Sequence, residues 1–178
     1  AAATHLTSFF LGLELLSVSL YVLIAYVRTE RNPLEAGLKY LILSGTSSAF
    51  LLFGMALLYF QLGTMGFAGM ASALAQQAEA PMQYLVGVAL ILTGVGFKLA
   101  LVPFHMWAPD VYQGASAPVA AFIATVSKGA MFALLLRYCV DIAAFRFGML
   151  WWILAGIAVL SMFVGNFLAL LQDNIKRV

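Results

Sequence analysis

The sequence predicts an all-α membrane protein, and three observations carry this prediction. Of the 178 residues, 64% are hydrophobic and only 9% are charged, whereas a soluble domain is roughly half apolar and about a quarter charged. Several apolar runs reach the roughly 20 residues that a helix needs to cross a bilayer. These runs also lack the alternation of apolar and polar residues that marks the strands of a membrane barrel.

The first two predicted spans cover about residues 5–27 and 36–62. Between them lies the polar segment RTERNPLE, in which Pro33 is predicted to break the helix. The stretch 63–81 is rich in Gly and Ala and also holds Ser72 and two adjacent glutamines. It is predicted to be an exposed connector that holds at most a short surface helix.

The third predicted span, about residues 82–115, exceeds the length that a helix needs to cross an apolar layer of roughly 30 Å. It contains Pro103 and Pro109, and a proline removes a backbone donor and clashes with the preceding helical turn. We therefore predict a discontinuous span with its break near Pro103. The fourth and fifth predicted spans cover about residues 118–140 and 147–171.

The distribution of basic residues predicts the orientation, because five spans put the two chain ends on opposite sides of the membrane. The side with the first loop and the C-terminal tail carries five basic residues: Arg28, Arg31, Lys39, Lys176 and Arg177. The opposite side carries Arg137 and Arg146. The positive-inside rule then places the N-terminus outside the cell and the C-terminus in the cytoplasm.

Three charges lie inside predicted spans rather than at their ends: Glu14, Lys98 and Lys128. A charge at mid-bilayer costs about 2.5–3.5 kcal/mol on insertion scales and usually faces the bundle interior or a hydrated cavity. A group held between desolvation and pairing changes its protonation when a neighbour changes, which is the property a proton relay requires. The alternative is a structural ion pair between Glu14 and Lys98, although one glutamate cannot neutralise two lysines at all times.

Four further polar residues are candidates for the same site. The hydroxyls of Ser44 and Ser47 are suited to holding water or a lysine ammonium, but small residues also simply let membrane helices approach closely. Thr125 lies one turn before Lys128 on the same helix face. His105, beside the break, is either a relay member, because imidazole titrates near neutrality, or a donor to a freed carbonyl. We favour the second interpretation.

Several classes of function have no support in the sequence. It has no phosphate-binding loop, no GxGxxG and no CxxC motif, so any flavin, nicotinamide or iron–sulfur centre is expected in other chains. No cluster of metal ligands occurs, and the single cysteine, Cys139, cannot form an internal disulfide. The net charge of +2 is too small to suggest nucleic acid as a partner.

Four stretches resemble one known family, the subunit N type of the antiporter-like membrane subunits of bacterial respiratory complex I. They are FFLGLELLSVSLYVLIAY, EAGLKYLILSGTSSAFLLFGMALLY, GFKLALVPFHMWAPDVYQGASAPVAAFIATVSKGAMFALLLR and GNFLALLQDNIKR. The resemblance implies a fold of about fourteen helices built on two inverted five-helix repeats, each with a discontinuous helix. On that comparison the chain looks like a fragment, a single membrane domain that holds later helices of the first repeat and the first helix of the second.

The resemblance also implies roles for the buried charges. Glu14 matches the glutamate that pairs with the channel lysine, Lys98 matches that lysine, and Lys128 matches the next lysine along the proton path. The implied function is a proton-translocating subunit of NADH:quinone oxidoreductase in the bacterial inner membrane. NADH, FMN, iron–sulfur clusters and quinone are then expected in other subunits, and the implied partners are other membrane-arm subunits, lipid and protons. The alternatives are a cation/proton antiporter subunit without redox coupling and a structural scaffold.

Overall fold

The computed structural model describes residues 2–27, 31–77, 80–142, 148–174 and 176–177. In chain order the helices are α1 (Leu6–Ile24), α2 (Arg31–Leu62), α3 (Phe67–Ala75), α4 (Met82–Leu99), α5 (Trp107–Gly114), α6 (Ala117–Phe122), α7 (Lys128–Asp141) and α8 (Gly148–Leu170). A π-helical turn, Ile123–Ser127, joins α6 to α7.

Five helical stretches of the described chain are long and apolar enough to cross a membrane. They are Leu6–Ile24, Arg31–Leu62, Met82–Leu99, Ala117–Asp141 and Leu150–Leu170. This confirms the prediction of an all-α membrane protein with five spans, of which the third is interrupted.

Helix α2 begins at Arg31, earlier than the predicted start at residue 36. The prediction that Pro33 breaks the helix is wrong, because Pro33 lies in the first turn of α2 and is buried there. A proline is tolerated in the first turn, since the backbone donor that it lacks has no partner within the helix at that position. Arg28, which entered the orientation prediction, lies outside the described residues.

The connector between the second and third spans is more than a surface loop. Its short helix α3 buries Phe67, Met70 and Leu74, which are at most 3% exposed and recur at the spacing of one helix face. The Phe67 ring meets the Tyr138 ring of α7 edge-on, with centroids 5.5 Å apart. The prediction of an exposed connector is therefore corrected, because α3 closes one end of the bundle. Glu79 lies outside the described residues.

Helix α2 is central and packs against α1, α4 and α5. Two clusters of buried side chains result. The first lies toward α3 and includes Leu6, Leu58, Met70, Ile91 and Tyr138. The second surrounds the interrupted third span and includes Leu20, Tyr40, Phe97, Trp107 and Val111. The second cluster carries the candidate site.

The contacts between chain segments fix which ends lie together. Asp110 of α5 forms ion pairs with Lys39 of α2 at 2.8 Å and with Arg177 of the tail at 3.0 Å. The start of α2, helix α5 and the tail therefore share one face of the protein, as the sequence analysis requires. Arg146, from the opposite side, lies outside the described residues, and the orientation relative to the cell stays a prediction.

Candidate functional site

The third span is interrupted immediately after Lys98. Helix α4 ends at Leu99, and Ala100 adopts the left-handed conformation with φ 57° and ψ 42°. The Ala100 N–H donates to the Phe97 carbonyl at 3.0 Å and the Leu101 N–H to the Gly96 carbonyl at 2.8 Å, the two hydrogen bonds of a Schellman helix end. The break predicted near Pro103 is confirmed, but the helix already ends at Leu99, four residues before that proline.

A tryptophan and a serine make further hydrogen bonds to backbone groups at the break. The Trp107 indole N–H donates to the Phe97 carbonyl at 2.9 Å, and the Val102 N–H donates to Ser161 Oγ of α8 at 3.1 Å. The favoured role of His105 as the donor to a freed carbonyl is therefore corrected. Both His105 ring nitrogens are buried and have no hydrogen-bond partner within the described chain. A relay role for His105 stays a prediction.

Trp107→Phe is expected to destabilise the protein by about 0.5–1.5 kcal/mol, because the Phe97 carbonyl loses its indole donor and keeps only the hydrogen bond from the Ala100 N–H. Trp107 is 4% exposed and also stacks on the Phe97 ring, with centroids 5.2 Å apart, and phenylalanine retains part of that packing. The measurement is the unfolding midpoint of the detergent-solubilised protein. Trp152→Phe is the matched control, since Trp152 is 75% exposed, and equal midpoints for the two variants would contradict the assignment.

Lys98 points into a pocket of hydroxyl groups rather than toward a carboxylate. Its ammonium donates to Ser17 Oγ of α1 at 2.6 Å and makes a short hydrogen bond to Ser44 Oγ of α2. The ammonium also lies 5.8 Å from the centre of the Tyr40 ring, a cation–π distance. Ser17 and Ser44 are at most 2% exposed. Ser44 was a candidate from the sequence, and its hydroxyl contacts the Lys98 ammonium directly.

Glu14 and Lys98 are linked through serines and do not touch. Neither side chain forms an ion pair within 4.0 Å in the described part of the chain, so a direct pair is absent there. Instead the Ser48 hydroxyl makes a short hydrogen bond to the Glu14 carboxylate. Ser48 lies one turn after Ser44 on α2, and its Oγ is 3.0 Å from the Ser44 carbonyl oxygen. The order in space is therefore Glu14, Ser48, Ser44, Lys98.

Ser17 and Ser48 were visible in the sequence as nearby hydroxyls but were not among the predicted site residues. The available signal was helical spacing, because Ser17 follows Glu14 by three residues and Ser48 follows Ser44 by four. That spacing places each pair on one helix face, but the register of α1 against α2 decides whether the two faces meet. Only the three-dimensional structure supplies that register.

Two other predicted residues do not join the Lys98 group. The Ser47 hydroxyl donates across the α2–α4 interface to the Gly94 carbonyl at 3.1 Å. The Thr125 hydroxyl is exposed and donates back to the Ala121 carbonyl at 2.7 Å. Both hydroxyls thus satisfy backbone carbonyls, and their participation in a relay stays a prediction.

Lys128 immediately follows the π-helical turn Ile123–Ser127, and such turns occur frequently at functional sites. Its ammonium lies 5.3 Å from the centre of the Tyr112 ring of α5. A cavity of about 340 Å³ lies between α1, Lys98 and α7, and its polar lining includes Ser8, Ser17 and Ser127. It is large enough for several water molecules. The cavity therefore brings the Lys98 site next to the residue that precedes Lys128.

The fold and the site define a helical membrane protein with a lysine at the break of an interrupted span. The chain matches over residues 3–178 the family described as NADH:quinone oxidoreductase/Mrp antiporter, TM, and it belongs to that family.

Curated relatives named NADH-quinone oxidoreductase subunit N confirm the resemblance. The relative from Nitrosospira multiformis is 61% identical over 178 residues, and that from Ectopseudomonas mendocina is 53% identical over 178 residues. The matches cover 99% and 100% of this chain but 35% and 36% of the relatives. The chain thus spans about a third of the length of these relatives.

Two solved structures share the fold. A chain of respiratory complex I from Thermus thermophilus, solved with bound aureothin, aligns with a TM-score of 0.80 and 39% identity. A chain of an archaeal membrane-bound sulfane sulfur reductase aligns with a TM-score of 0.81 and 32% identity. Both alignments cover 99% of this chain, and they cover 37% and 36% of those chains.

Proposed function

We propose that this chain is part of a proton-translocating membrane subunit of a bacterial NADH:quinone oxidoreductase, in which quinone reduction elsewhere drives protons through buried side chains. The observation that carries the proposal is the Lys98 ammonium, held at a helix break by two serine hydroxyls beside a cavity. An ammonium without a contacting carboxylate has no fixed counter-charge, so its protonation responds to small changes nearby.

The geometry supports a role for each of the three mid-span charges. Lys98 is the group that gains and loses a proton, and Glu14 sets the local potential through the Ser48–Ser44 bridge. Lys128 is the next acceptor, since the cavity that Lys98 lines also reaches Ser127, the residue before Lys128. Water in that cavity would complete the path between the two lysines.

We further propose that the chain lies in the bacterial inner membrane with its N-terminus outside and its C-terminus in the cytoplasm. The support is the group of basic residues on one face, where Lys39 and Arg177 both contact Asp110. Other membrane-arm subunits would adjoin exposed faces of its helices, and the translocated species would be the proton.

Two other functions make different predictions about the same residues. A cation/proton antiporter subunit would exchange a cation against the proton without any electron transfer. A structural scaffold would need Glu14 and Lys98 only as locks between helices, and their neutral variants would then lower assembly and spare proton transport. The serine bridge favours a titrating site over a lock, because Glu14 and Lys98 do not touch in the described chain.

Glu14→Gln in the intact complex tests the proposal. The amide keeps the shape and accepts the Ser48 hydrogen bond, but it removes the negative charge that faces Lys98 across the serines. We expect proton transfer through this chain to slow by about fivefold or more. Fewer protons then cross for each electron transferred, and this ratio is measured in reconstituted vesicles. Asp141→Asn, at the exposed ion pair with Arg137 on α7, is the control. An unchanged ratio in the Glu14 variant would show that this carboxylate plays no part in translocation.

A further inference from the structure

A second group of charges lies away from the lysine site, on the face shared by α2, α5 and the tail. Lys39 pairs with Asp110 Oδ2 at 2.8 Å and with Glu35 Oε1 at 2.9 Å. Arg177 pairs with Asp110 Oδ1 at 3.0 Å and also donates to the Gln113 side chain. One carboxylate thus binds two cations from chain segments that are distant in sequence. We call Lys39, Asp110 and Arg177 the charge clamp.

The clamp contributes little to the free energy of folding. Its three side chains are 33–44% exposed, and exposed ion pairs gain little because water screens them. Its geometric effect is larger, since it fixes α5 to α2 on one side and to the tail on the other.

The docking of α5 on α2 is close, so movement of α5 is tightly constrained. A Cβ atom on Gly114 would lie 2.5 Å from Ala36 Cβ and 2.8 Å from the Asn32 carbonyl oxygen. On α5, Trp107 and Val111 are at most 4% exposed. A shift of α5 therefore has to move Trp107 as well.

Trp107 connects α5 to Tyr40, whose ring we call the floor of the Lys98 site. Its ring lies 5.2 Å from the Tyr40 ring and 5.2 Å from the Phe97 ring, between centroids. Tyr40 is the residue after Lys39 on α2, and its ring lies beneath the Lys98 ammonium at 5.8 Å. The clamp residue Lys39 and the floor residue Tyr40 are thus adjacent, and each contacts α5.

We propose that Asp110 is a positioning residue that ties the tail following α8 to the helix break, so that displacement of the tail changes the position of Trp107 and Tyr40 around Lys98. The proposal rests on the proposed proton-translocating function. In this proposal, movement of the tail changes the lysine site through Asp110, because Asp110 contacts both the tail and α2.

Asp110→Asn in the intact complex is the test. We expect normal assembly and electron transfer, because the clamp adds little stability, but about a threefold fall in protons translocated per electron. Asp110→Glu is expected to restore the ratio, since it keeps the charge. Asp141→Asn is the matched control, because Asp141 forms an ion pair of similar exposure with Arg137 at 3.3 Å, far along α7, and it should leave the ratio unchanged.

Arg177→Gln provides a second test that leaves the Lys39–Asp110 pair intact. It should lower the ratio in the same way, and the double variant with Asp110→Asn should be no worse than Asp110→Asn alone. An unchanged ratio in Arg177→Gln, or independent losses that multiply in the double variant, would overturn the proposal. If Asp110→Asn does not assemble, Arg177→Gln alone decides.

Lys98→Met, measured in parallel, distinguishes a failure of the Asp110 positioning role from a failure of the proposed function. If this variant translocates protons normally, the proposed function itself fails. If it does not translocate protons while the Asp110 and Arg177 variants match the Asp141 control, only the positioning role fails.

Discussion

Lys98→Met is expected to abolish proton translocation through this chain while leaving the helix bundle assembled. Methionine fills a similar volume, but it can neither donate to Ser17 and Ser44 nor carry a proton. Removal of a positioned proton-transfer group lowers the rate of its step by about a hundredfold or more. The measurement is the number of protons translocated per electron, taken together with the rate of electron transfer in the same vesicles.

Lys98→Arg separates a titrating lysine from a structural charge. Arginine keeps the positive charge and the capacity to donate to serine hydroxyls, but it does not lose its proton in proteins. The cavity beside Lys98 gives the larger side chain room. We therefore expect Lys98→Arg to assemble and yet to translocate as poorly as Lys98→Met. Normal translocation by the arginine variant would instead make Lys98 a structural lock. Arg137→Met, near the end of α7, is the control for Lys98→Met, because it also replaces a cation with methionine but lies in an exposed ion pair.

Hydropathy alone predicted most of the fold, because a membrane span must be a long apolar helix and the bilayer fixes its length. Pro33 was misread for a local reason, since a proline in the first turn of a helix looks like a breaker when the position of the helix start is unknown. The connector helix α3 was misread for another reason. Its buried face is short, and Phe67, Met70 and Leu74 stand out only once Tyr138 is known to lie opposite.

The site was predictable as a set of residues but not as a geometry. Mid-span charges are rare enough in membrane proteins to identify Glu14, Lys98 and Lys128 from sequence. Which hydroxyl bridges which charge depends on contacts such as that of Lys98 with Ser17, which is 81 residues away. Likewise, nothing local to His105 or Trp107 tells which of them donates to the Phe97 carbonyl, because that depends on the path of the chain through the break.

The crossing of α2 and α4 holds Ser44 and Lys98 in register. A substitution where the two helices touch is therefore expected to affect the whole site. A Cβ atom on Gly54 would lie 2.7 Å from the Gly87 carbonyl oxygen and 2.9 Å from Ile91 Cγ1. Neither the backbone oxygen nor a buried isoleucine moves easily, so the helices must separate. Gly54→Ala is therefore expected to destabilise the protein by about 1–3 kcal/mol, measured as a lower unfolding midpoint in detergent.

Gly45→Ala on the same helix is the matched control and is expected to shift the midpoint in the opposite direction. A Cβ atom there has nothing within 4 Å, and alanine is favoured over glycine inside a helix by up to about 1 kcal/mol. The two substitutions have the same chemistry, so intrinsic helix preference cannot explain opposite signs. A gain in stability for Gly54→Ala would mean that α2 and α4 cross less closely than the structure indicates. With a looser crossing, the hydroxyls of α2 would no longer be held against Lys98.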